Sequence, residues 1–508
     1  MPPTPPEPRD LDLVRLYHQA LGDAPGTVDG DTWADLALDE VFRRFDRTAS
    51  WMGSQMLYRR LRVLAADDAD LEARTRAYAA LRADPAWAAR ARRVLAPLGG
   101  PGTPFLAPFL IHGLPDQLPS PGLYIACALA PLACILGGLV APWLLIASLA
   151  FLFVNIVLNE TVGRRLSVHG PAFSRLHALL AAADALATLP GGPPLPARAR
   201  LLALRPALAR VQARLSTLAV DRSQLPELAA VVFGYLNILF LLDVVAFLWA
   251  VPALLRHRGD LLAALEALGE LDADLAIAAV LDAAPGAFIT PAFGTGRDLD
   301  VRDLTHPLLA DPVGNDLAVR GRSVLITGSN MAGKTTFIKT VGVNLVLAQT
   351  LHLVRAAQAT LPRLPVASSI RREDRLEAGQ SYYLVEIQRL KAFADTPRPH
   401  LLLIDEILRG TNTVERVAAS TALLRHLGAT HLVLVTTHDL EVGQALADGF
   451  DVHHFAEQVT GDAFGFDYRL RPGPVYTRNA IRLLELSGFP APVTEEARRL
   501  AGSVSAPA

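Results

Sequence analysis

Lysine is nearly absent from this chain. Of 48 basic residues only Lys334, Lys339 and Lys391 are lysines; arginine supplies the rest, as a GC-rich coding bias would. Two of the three lie in one short segment. Cysteine is scarcer still. Cys127 and Cys134 sit in an apolar run with no partner His or Cys, which excludes a disulfide framework and a Cys-based zinc site and leaves small apolar fillers. Charge is sparse, at 19% of residues against ~25% in ordinary soluble domains. The formal net charge is −2, so no global basic field draws the chain to nucleic acid, and any such site must be a local patch. The N-terminus is rich in proline (Pro2, Pro3, Pro5, Pro6, Pro8) and shows no basic stretch leading into an apolar one. No cleavable secretory signal is therefore visible, and the bulk of the chain is expected in the cytoplasm.

The longest absence runs from Gln117 to Asn159, where there is no Asp, Glu, Lys, Arg or His. A helix crossing the hydrocarbon core needs ~20 apolar residues. The run accommodates two, expected at 121–139 and 141–159, with the reversal at Gly137, Gly138 and Pro142. Arg164 and Arg165 follow at the exit, as on a cytoplasmic flank. The competing reading is a helical hairpin buried in a soluble bundle, but soluble helices keep a polar stripe and this run has none.

What is present is length and apolarity. The 508 residues are 51% apolar, enough for about two to four domains with a large core, and too apolar for a mostly disordered chain. No repeat recurs at a fixed period. Residues 1–30 are expected to be poorly ordered. Residues 31–120 form the first part of a helical core, with apolar positions such as Leu57, Leu61 and Leu64 at helical spacing; the Gly- and Pro-rich 99–121 reads as a boundary. The hairpin occupies 121–159. Residues 160–290 continue the helical core and its lever. There, Arg198, Arg200, Arg205, Arg210 and Arg214 form either a basic face or an ordinary solvated one. The apolar stretch 228–255, interrupted by Asp243, reads as a long buried connector helix rather than a third span. From 291 to 508 the pattern changes to short unbroken apolar runs, Ser323–Thr327, 401–404 and Leu432–Thr436. Such runs suit a parallel sheet covered on both faces.

Directly after the first of those runs comes Gly328-Ser329-Asn330-Met331-Ala332-Gly333-Lys334-Thr335-Thr336, which fits G-x-x-x-x-G-K-[ST] between a strand and a helix. Glycines let backbone N–H groups approach phosphates, and a helix N-terminus adds partial positive charge. Lys334 would neutralise the β- and γ-phosphates of ATP, and the Thr335 hydroxyl would bind Mg²⁺. The second run ends in Asp405-Glu406, with Asp405 placed to hold Mg²⁺ and Glu406 to act as general base on water. The third ends in Thr437-His438, a histidine at a strand carboxyl end, where open α/β sheets bind ligands.

These segments resemble the MutS family, the DNA mismatch-repair ATPases related to ABC-type ATPases. Thr327 to Thr336 is similar to the family's TGPNMxGKST, Asp405 to Thr413 to DExxRGTST, and Thr437-His438 to ATH. Gly379-Gln380-Ser381 with Glu386 resembles GxSTFxxE, and Thr305-His306-Pro307 and Asn315-Asp316 resemble the HP and ND elements. Upstream, Asp46-Arg47-Thr48 with Met52-Gly53-Ser54 resembles the start of the helical core, and Asn237–Phe247 the lever helix. The resemblance implies an α/β P-loop ATPase domain of ABC-like type at the C-terminus. Before it would stand an all-α core and lever domain carrying the transmembrane hairpin. It further implies a homodimer with composite ATP sites, in which Ser381 reaches the γ-phosphate from the other chain, and a core that grips DNA. Three features depart from the family pattern. No counterpart of the mismatch-reading domain is found, the core beginning near residue 35. No nuclease-like extension is expected. The hairpin interrupts a region that carries no such insertion in standard members. Phe455-Ala456-Glu457 repeats the Phe-x-Glu tripeptide of the reading domain, but inside the ATPase segment, as coincidence. Two functions are expected to compete: a mismatch-repair-like DNA transaction driven by ATP, with other repair proteins as unspecified partners, or a membrane-tethered mechanochemical ATPase that does not bind DNA. In either case the ATPase is expected in the cytoplasm, anchored at the inner face of the cell membrane.

Overall fold

The computed structural model describes residues 8–167, 170–215, 226–329, 332–370, 382–408, 412–460, 463–474 and 488–504. In chain order its helices are α1 (Leu11–Leu21), α2 (Gly30–Asp35), α3 (Leu38–Phe45), α4 (Trp51–Arg62), α5 (Asp68–Ala83), α6 (Pro85–Leu95), α7 (Leu106–His112), α8 (Pro121–Gly137), α9 (Leu144–Ser167), α10 (Gly170–Thr188), α11 (Pro196–Leu215), α12 (Glu227–Phe240), α13 (Leu242–Arg256), α14 (Arg258–Ala283), α15 (Lys334–Leu351), α16 (Tyr382–Ala394), α17 (Thr413–Thr430), α18 (Leu440–Ala445) and α19 (Ala491–Val504). Two compact units interleave along the sequence. The first comprises Met1–Asp23, Phe45–Arg59 and Arg76–Ala283; the second comprises Ala24–Arg44, Arg60–Thr75 and Ala284–Ala508.

The first unit is helical. Residues 11–21, expected to be poorly ordered, instead form α1. The Asp10 side chain caps it by accepting from Asp12 N at 2.9 Å, and Val14 and Tyr17, three apart on one face, are buried. Asp84 caps α6 in the same way at Trp87 N, with Pro85 at the first helical position where its missing N–H costs nothing. The Gly- and Pro-rich stretch 99–121 stays in the core: α7 forms within it and buries Leu106 and Leu110. Phe173 of α10 contacts Phe109 and Phe247 edge-on.

The segment Asp46–Ser54 acquires a physical role here. The fully buried Asp272 of α14 accepts from Ala49 N at 2.9 Å, Ser50 N at 2.7 Å and Ser50 Oγ at 2.5 Å, so a carboxylate closes the N-terminal end of α4. Burial pushes this carboxyl above the ordinary aspartate range, against the opposing pull of the Ser50 and Ala49 bonds. Asp46 gathers Ser54 Oγ and Thr48 Oγ1 beside it. The helices approach so closely that a Cβ at Gly53 would lie 2.2 Å from Asp272 Oδ2, and one at Gly269 would lie 2.7 Å from Met52 O.

The uncharged run forms two helices, α8 and α9, reversing around Gly137, Gly138 and Pro142 as the sequence suggested. Among the described residues, one unbroken helical stretch, Leu144–Val162 within α9, is both long and apolar enough to cross a membrane; α8 is apolar but shorter, and Pro131 lies inside it. Residues 228–255 are not one long connector. They divide into α12 and α13, bent by 69° at Leu241, whose φ of 47° places it in the left-handed region. The long buried helix of this unit is α14, with buried residues on all its faces. The candidate basic face on α11 is largely engaged within the unit. Arg200 pairs with Glu270 at 2.9 Å and Arg205 with Asp184 at 2.6 Å, while Arg198 donates to Gly191 O and Leu189 O.

The second unit is mixed α/β. Its strands are β1 (Ala292–Gly294), β2 (Leu299–Leu304), β3 (Asn315–Val319), β4 (Ser323–Thr327), β5 (Gln358–Pro362), β6 (Val366–Ser369), β7 (Leu401–Asp405), β8 (Leu432–Thr436), β9 (Phe450–Thr460) and β10 (Ala463–Pro472). They form a mixed four-stranded sheet in the order β1-β5-β2-β3 and a six-stranded sheet in the order β10-β9-β4-β8-β7-β6. The latter is parallel except for the β9–β10 hairpin. All residues of β4, β7 and β8 are buried, as unbroken apolar runs in a doubly covered sheet require. At the β6 edge, α2 docks through side chains. Asp35 Oδ2 accepts from Ser368 Oγ at 2.6 Å and Ile370 N at 3.0 Å, and Arg389 reaches Asp29 at 2.7 Å.

The Gly53 contact gives a stability prediction. Gly53→Ala forces a methyl into Asp272 and should cost ~1–3 kcal/mol. Gly30→Ala, in the first turn of α2 with nothing within 4 Å, should be neutral or gain ~0.4–1 kcal/mol. Thermal melts of the two variants beside the parent check the pair; an unshifted Gly53→Ala would remove the close-approach argument.

Candidate functional site

The register of the six-stranded sheet sets the site. Ile326 of β4 and Asp405 of β7 both lie beside Thr436 of the central β8. Three chain segments therefore leave the carboxyl edge side by side, where open parallel sheets place their ligands.

From β4 the chain turns at Gly328, whose φ is +133°. A Cβ there would lie 2.4 Å from Phe455 O, so glycine is required. Ser329 follows, its buried Oγ without a hydrogen-bond partner among the described residues. Asn330 and Met331 lie outside the described residues. Ala332 is buried, and Gly333, at φ +104°, leads into α15. Lys334 opens that helix and turns back: its Nζ donates to Gly328 O at 2.8 Å and Ser329 O at 2.7 Å. Thr335 Oγ1 donates to Asp405 Oδ2 at 2.9 Å, and Thr436 Oγ1 donates to Asp405 Oδ1. Thr336 lines the adjoining cleft and accepts from Thr340 at its carbonyl.

Beyond β7, Glu406 N donates to Thr436 O at 3.1 Å, and Glu406 Oε1 meets His438 Nε2 at 2.6 Å. Glu406 and Leu408 hold φ values of +58° and +56°. Positive φ at bulky residues costs about 1–3 kcal/mol each and persists only where surroundings impose it. Here part of the restraint is Glu386 of α16, whose Oε1 accepts from Leu408 N at 2.8 Å. Gly379, Gln380, Ser381 and Arg409 to Thr411 lie outside the described residues.

A cleft of about 500 Å³ opens on this cluster. It is lined by Lys334, Thr335 and Glu406, and also by Leu309, Pro312, Val313, Phe455 and Tyr468. Tyr468 sits at a bulge in β10, between Phe466 and Leu470, with φ +53°. Asn315 pins that bulge, donating to Tyr468 O at 3.0 Å and accepting from Leu470 N at 2.7 Å. His306 also lines the cleft. Its Nδ1 accepts from Leu308 N at 3.2 Å. Burial first, then the neighbouring Lys339 and Arg355 charges, push this imidazole down to about 4, so it is neutral at pH 7.

The sequence pointed to Lys334, Thr335, Thr336, Asp405, Glu406, His438, Glu386, His306 and Asn315, but not to Thr436, nor to the cleft-lining Leu309, Pro312, Val313, Phe455 and Tyr468. Thr436 reads as an ordinary strand residue. Phe455 belongs to a tripeptide that looked coincidental. Tyr468 comes forward only through a bulge, which has no signature in the sequence.

Among the described residues no group of three or more His, Cys, Asp or Glu is arranged to hold a metal. The hard oxygen pair Thr335–Asp405 nevertheless suits Mg²⁺, which is commonly held by one or two protein oxygens together with substrate phosphates. The partnerless Ser329 Oγ and the loop's own carbonyls on Lys334 likewise suit a loop built for a further polar ligand.

Residues 324–505 match the family model described as MutS domain V, an ATPase-type domain. The DNA mismatch repair protein MutS of Geobacillus kaustophilus is 33% identical over 250 residues, 46% of this chain and 28% of that protein. MutS of Thermus thermophilus is 31% identical over 245 residues, 47% of this chain and 30% of its own. MutS of Chloroflexus aurantiacus is 30% identical over 261 residues, 48% and 27% of the two chains. The second unit thus carries an α/β domain of the MutS ATPase type. Through that domain the chain is similar to MutS proteins over about half of its own length. The match spans less than a third of the length of these curated relatives.

The environment of His306 predicts its titration. With a folded value below the unfolded ~6.5, the unfolded chain binds the extra proton first, so this residue's contribution to stability is complete above that value. It is lost as pH falls from there toward 4. Histidine-labelled NMR, assigned with His306→Gln, should find no protonation of His306 at pH 5.5. A midpoint near the unfolded value would contradict the buried, cation-flanked environment.

Proposed function

We propose that this protein hydrolyses ATP at the Gly328–Thr335 loop and couples that reaction to a DNA transaction of the mismatch-repair type. The observation that carries the first half is convergence. A loop lysine, a Thr–Asp oxygen pair and a Glu–His pair meet at the carboxyl ends of β4, β7 and β8, on one cleft.

The loop Gly328–Thr336 would act as a P-loop, its backbone N–H groups and the start of α15 receiving the phosphates. Lys334 would exchange its two loop carbonyls for β- and γ-phosphate oxygens, a trade of neutral acceptors for charged ones. Thr335 and Asp405 would hold Mg²⁺, which when bound neutralises charge on those same oxygens. Glu406 would take a proton from water as the water oxygen bonds to the γ-phosphorus. The bond from that phosphorus to the β–γ bridging oxygen breaks, and ADP leaves with the electron pair. In the present arrangement Glu406 Oε1 is occupied by His438. Turning it toward water frees His438 to report on the γ-phosphate. The apolar lining from Leu309, Pro312, Val313, Phe455 and Tyr468 suits a nucleobase and its sugar.

The resemblance supports a homodimer in which Ser381 completes the partner's site. The relatives' printed role, DNA mismatch repair, supports DNA as the coupled partner. Two observations favour a second reading, in which the ATPase is tethered to a membrane through 121–159, at the inner face of the cell membrane, and does not bind DNA. Arginines of α11 that would form a DNA-facing stripe are satisfied by Glu270, Asp184 and backbone carbonyls, while the apolar faces of α8 and α9 are exposed.

Turnover tests the chemistry. Glu406→Gln should keep ATP binding and lose ~10²–10⁴-fold in kcat, and Lys334→Ala should lose binding. Full turnover in Glu406→Gln would remove its assignment as base. Adding duplex DNA across a salt series separates the two readings: a change in turnover that fades with salt supports DNA coupling, and indifference to DNA supports the tethered ATPase.

A further inference from the structure

The broken segment 227–256 carries two features that the ATPase does not explain. The first is a stripe. Leu228, Val231, Val232, Tyr235 and Leu236 of α12 are all exposed, at the i, i+3, i+4, i+7, i+8 spacing of a single helix face. In a soluble bundle that face would be turned inward. The second is how the break at Leu241 is satisfied. Asn155 of α9, fully buried, donates from Nδ2 to Cys127 O of α8 at 3.0 Å and to Leu239 O of α12 at 2.9 Å. Asn237 of α12 donates to Asn159 Oδ1 at 3.1 Å and to Asp243 Oδ2 at 2.7 Å, and accepts from Asp243 N at 2.9 Å.

A helix that breaks in water leaves its last carbonyls and the next helix's first N–H groups to the solvent, and asks for no dedicated side chains. In hydrocarbon each such group costs several kcal/mol unless protein supplies a partner, and polar side chains between helices then tie the bundle together. The carbonyl of Leu239 and the N–H of Asp243, on either side of Leu241, both have side-chain partners drawn from α9 and α12. The side-chain amides of Asn155 and Asn237 thus turn inward among α8, α9, α12 and the start of α13, while the Leu228–Leu236 stripe and much of α8 and α9 present apolar side chains outward. That is the inverse of a soluble bundle.

We infer that α12 is a third membrane-embedded helix, packed on the α8–α9 hairpin, with its Leu228–Leu236 stripe against lipid. The Leu241 break, locked by Asn155 and Asn237, turns the chain from lipid back into the protein core through α13. The occupant of the exposed surface is bilayer hydrocarbon rather than a protein. Only 11% of the Leu144–Val162 window of α9 is buried, so apolar side chains are exposed around most of its circumference, whereas a protein-docking face is one patch with a polar rim. At ~1.5 Å per residue, the 14 residues of α12 reach about two-thirds of the ~30 Å hydrocarbon thickness. The helix therefore enters the bilayer without crossing it alone. α13 then leaves through Val244, Phe247 and Val251, all buried in the core. This inference rests on the tethered hairpin of the preceding section.

The test places an environment-sensitive NBD fluorophore on single cysteines in the full chain, with Cys127→Ala and Cys134→Ala removing the native thiols. The labelled sites are Val231→Cys and Tyr235→Cys on the stripe, Leu149→Cys on the hairpin, and Leu202→Cys on exposed α11. Each protein is reconstituted in vesicles of phosphatidylcholine with phosphatidylglycerol, and its helical circular dichroism is checked against the parent. Quenching is read with doxyl-labelled lipid and, separately, with aqueous iodide. Loss of the 231 and 235 signals to doxyl lipid but not to iodide, as at 149 and opposite to 202, supports the third helix. Doxyl quenching at 149 with iodide quenching at 231 and 235 overturns it while leaving the hairpin standing. Iodide quenching at all of them overturns both.

Discussion

The parallel alignment of β4, β8 and β7 is the constraint on which the second unit depends. Thr436 is its pivot. Its hydroxyl donates to Asp405, and its carbonyl accepts from Glu406 N. One residue of the central strand thereby fixes the carboxylate of Asp405 and the backbone of Glu406 that follows it, while Thr335 of the loop helix holds Asp405 from the other side. A slip of one residue would exchange the two faces of the strand and separate every pair. The apolar runs that drive sheet burial therefore also set the spacing of the polar groups at its edge. The core and the site are one design, since the strands burying Leu325, Ile404 and Val435 end in the residues that face the cleft.

A second device recurs in both units. Buried carboxylates accept backbone N–H groups and so finish elements that would otherwise end with unpaired donors. Asp272 does this for the start of α4, and Asp35 for the strand end at Ile370. A buried hydrogen bond to a charged group stabilises by ~1.5–3 kcal/mol, and leaving the donor unpaired costs about as much. The interaction is strong only if the carboxylate is fully engaged, since burial by itself pushes its proton affinity up. Asp29 shows the balance won: burial raises its carboxyl, but the Arg389 charge and the Thr32 bonds bring it below the ordinary range. Asp272, held by the Ser50 and Ala49 donors and only distantly by the Arg9 charge, shows burial prevailing.

The legibility of this chain in its sequence follows from how local each feature is. The loop Gly328–Thr335, the Asp405–Glu406 pair and Thr437–His438 are contiguous segments attached to unbroken apolar strands, and their convergence follows once those strands are parallel. Tyr468 depends on a bulge pinned from β3 by Asn315, 153 positions away. Thr436 depends on register. The docking of α2 on β6 joins residues more than 330 positions apart through Asp35 and Ser368. None of these has a period or a spacing to read. Hydropathy located 121–159 but misjudged 228–255, because a left-handed residue at Leu241 leaves average apolarity unchanged while breaking the helix. The five arginines of α11 read alike along the chain. Only partners brought near by folding, such as Glu270 and Asp184, distinguish an open basic face from a neutralised one.

Asparagine placement unites these points with the apolar helices of the first unit. Between Gln117 and Asn159 the polar side chains able to bridge helices are few, and two of them, Asn155 and Asn159, lie four residues apart on α9, hence on one face. That face meets Leu239 and Asn237 of α12. A random scatter of polar residues would turn some outward. Here both turn inward, and the surface left outside is aliphatic and aromatic. The hydrophobic effect does not hold such helices together once lipid replaces water, since lipid tails are as apolar as leucine. In the bilayer setting inferred above, hydrogen bonds from Asn155 and Asn237 would carry more of the association, and these are the bonds that close the Leu241 break. The same few residues serve as glue and as cap, so the bend in the chain and the cohesion of the helices that contain it rest on one interaction.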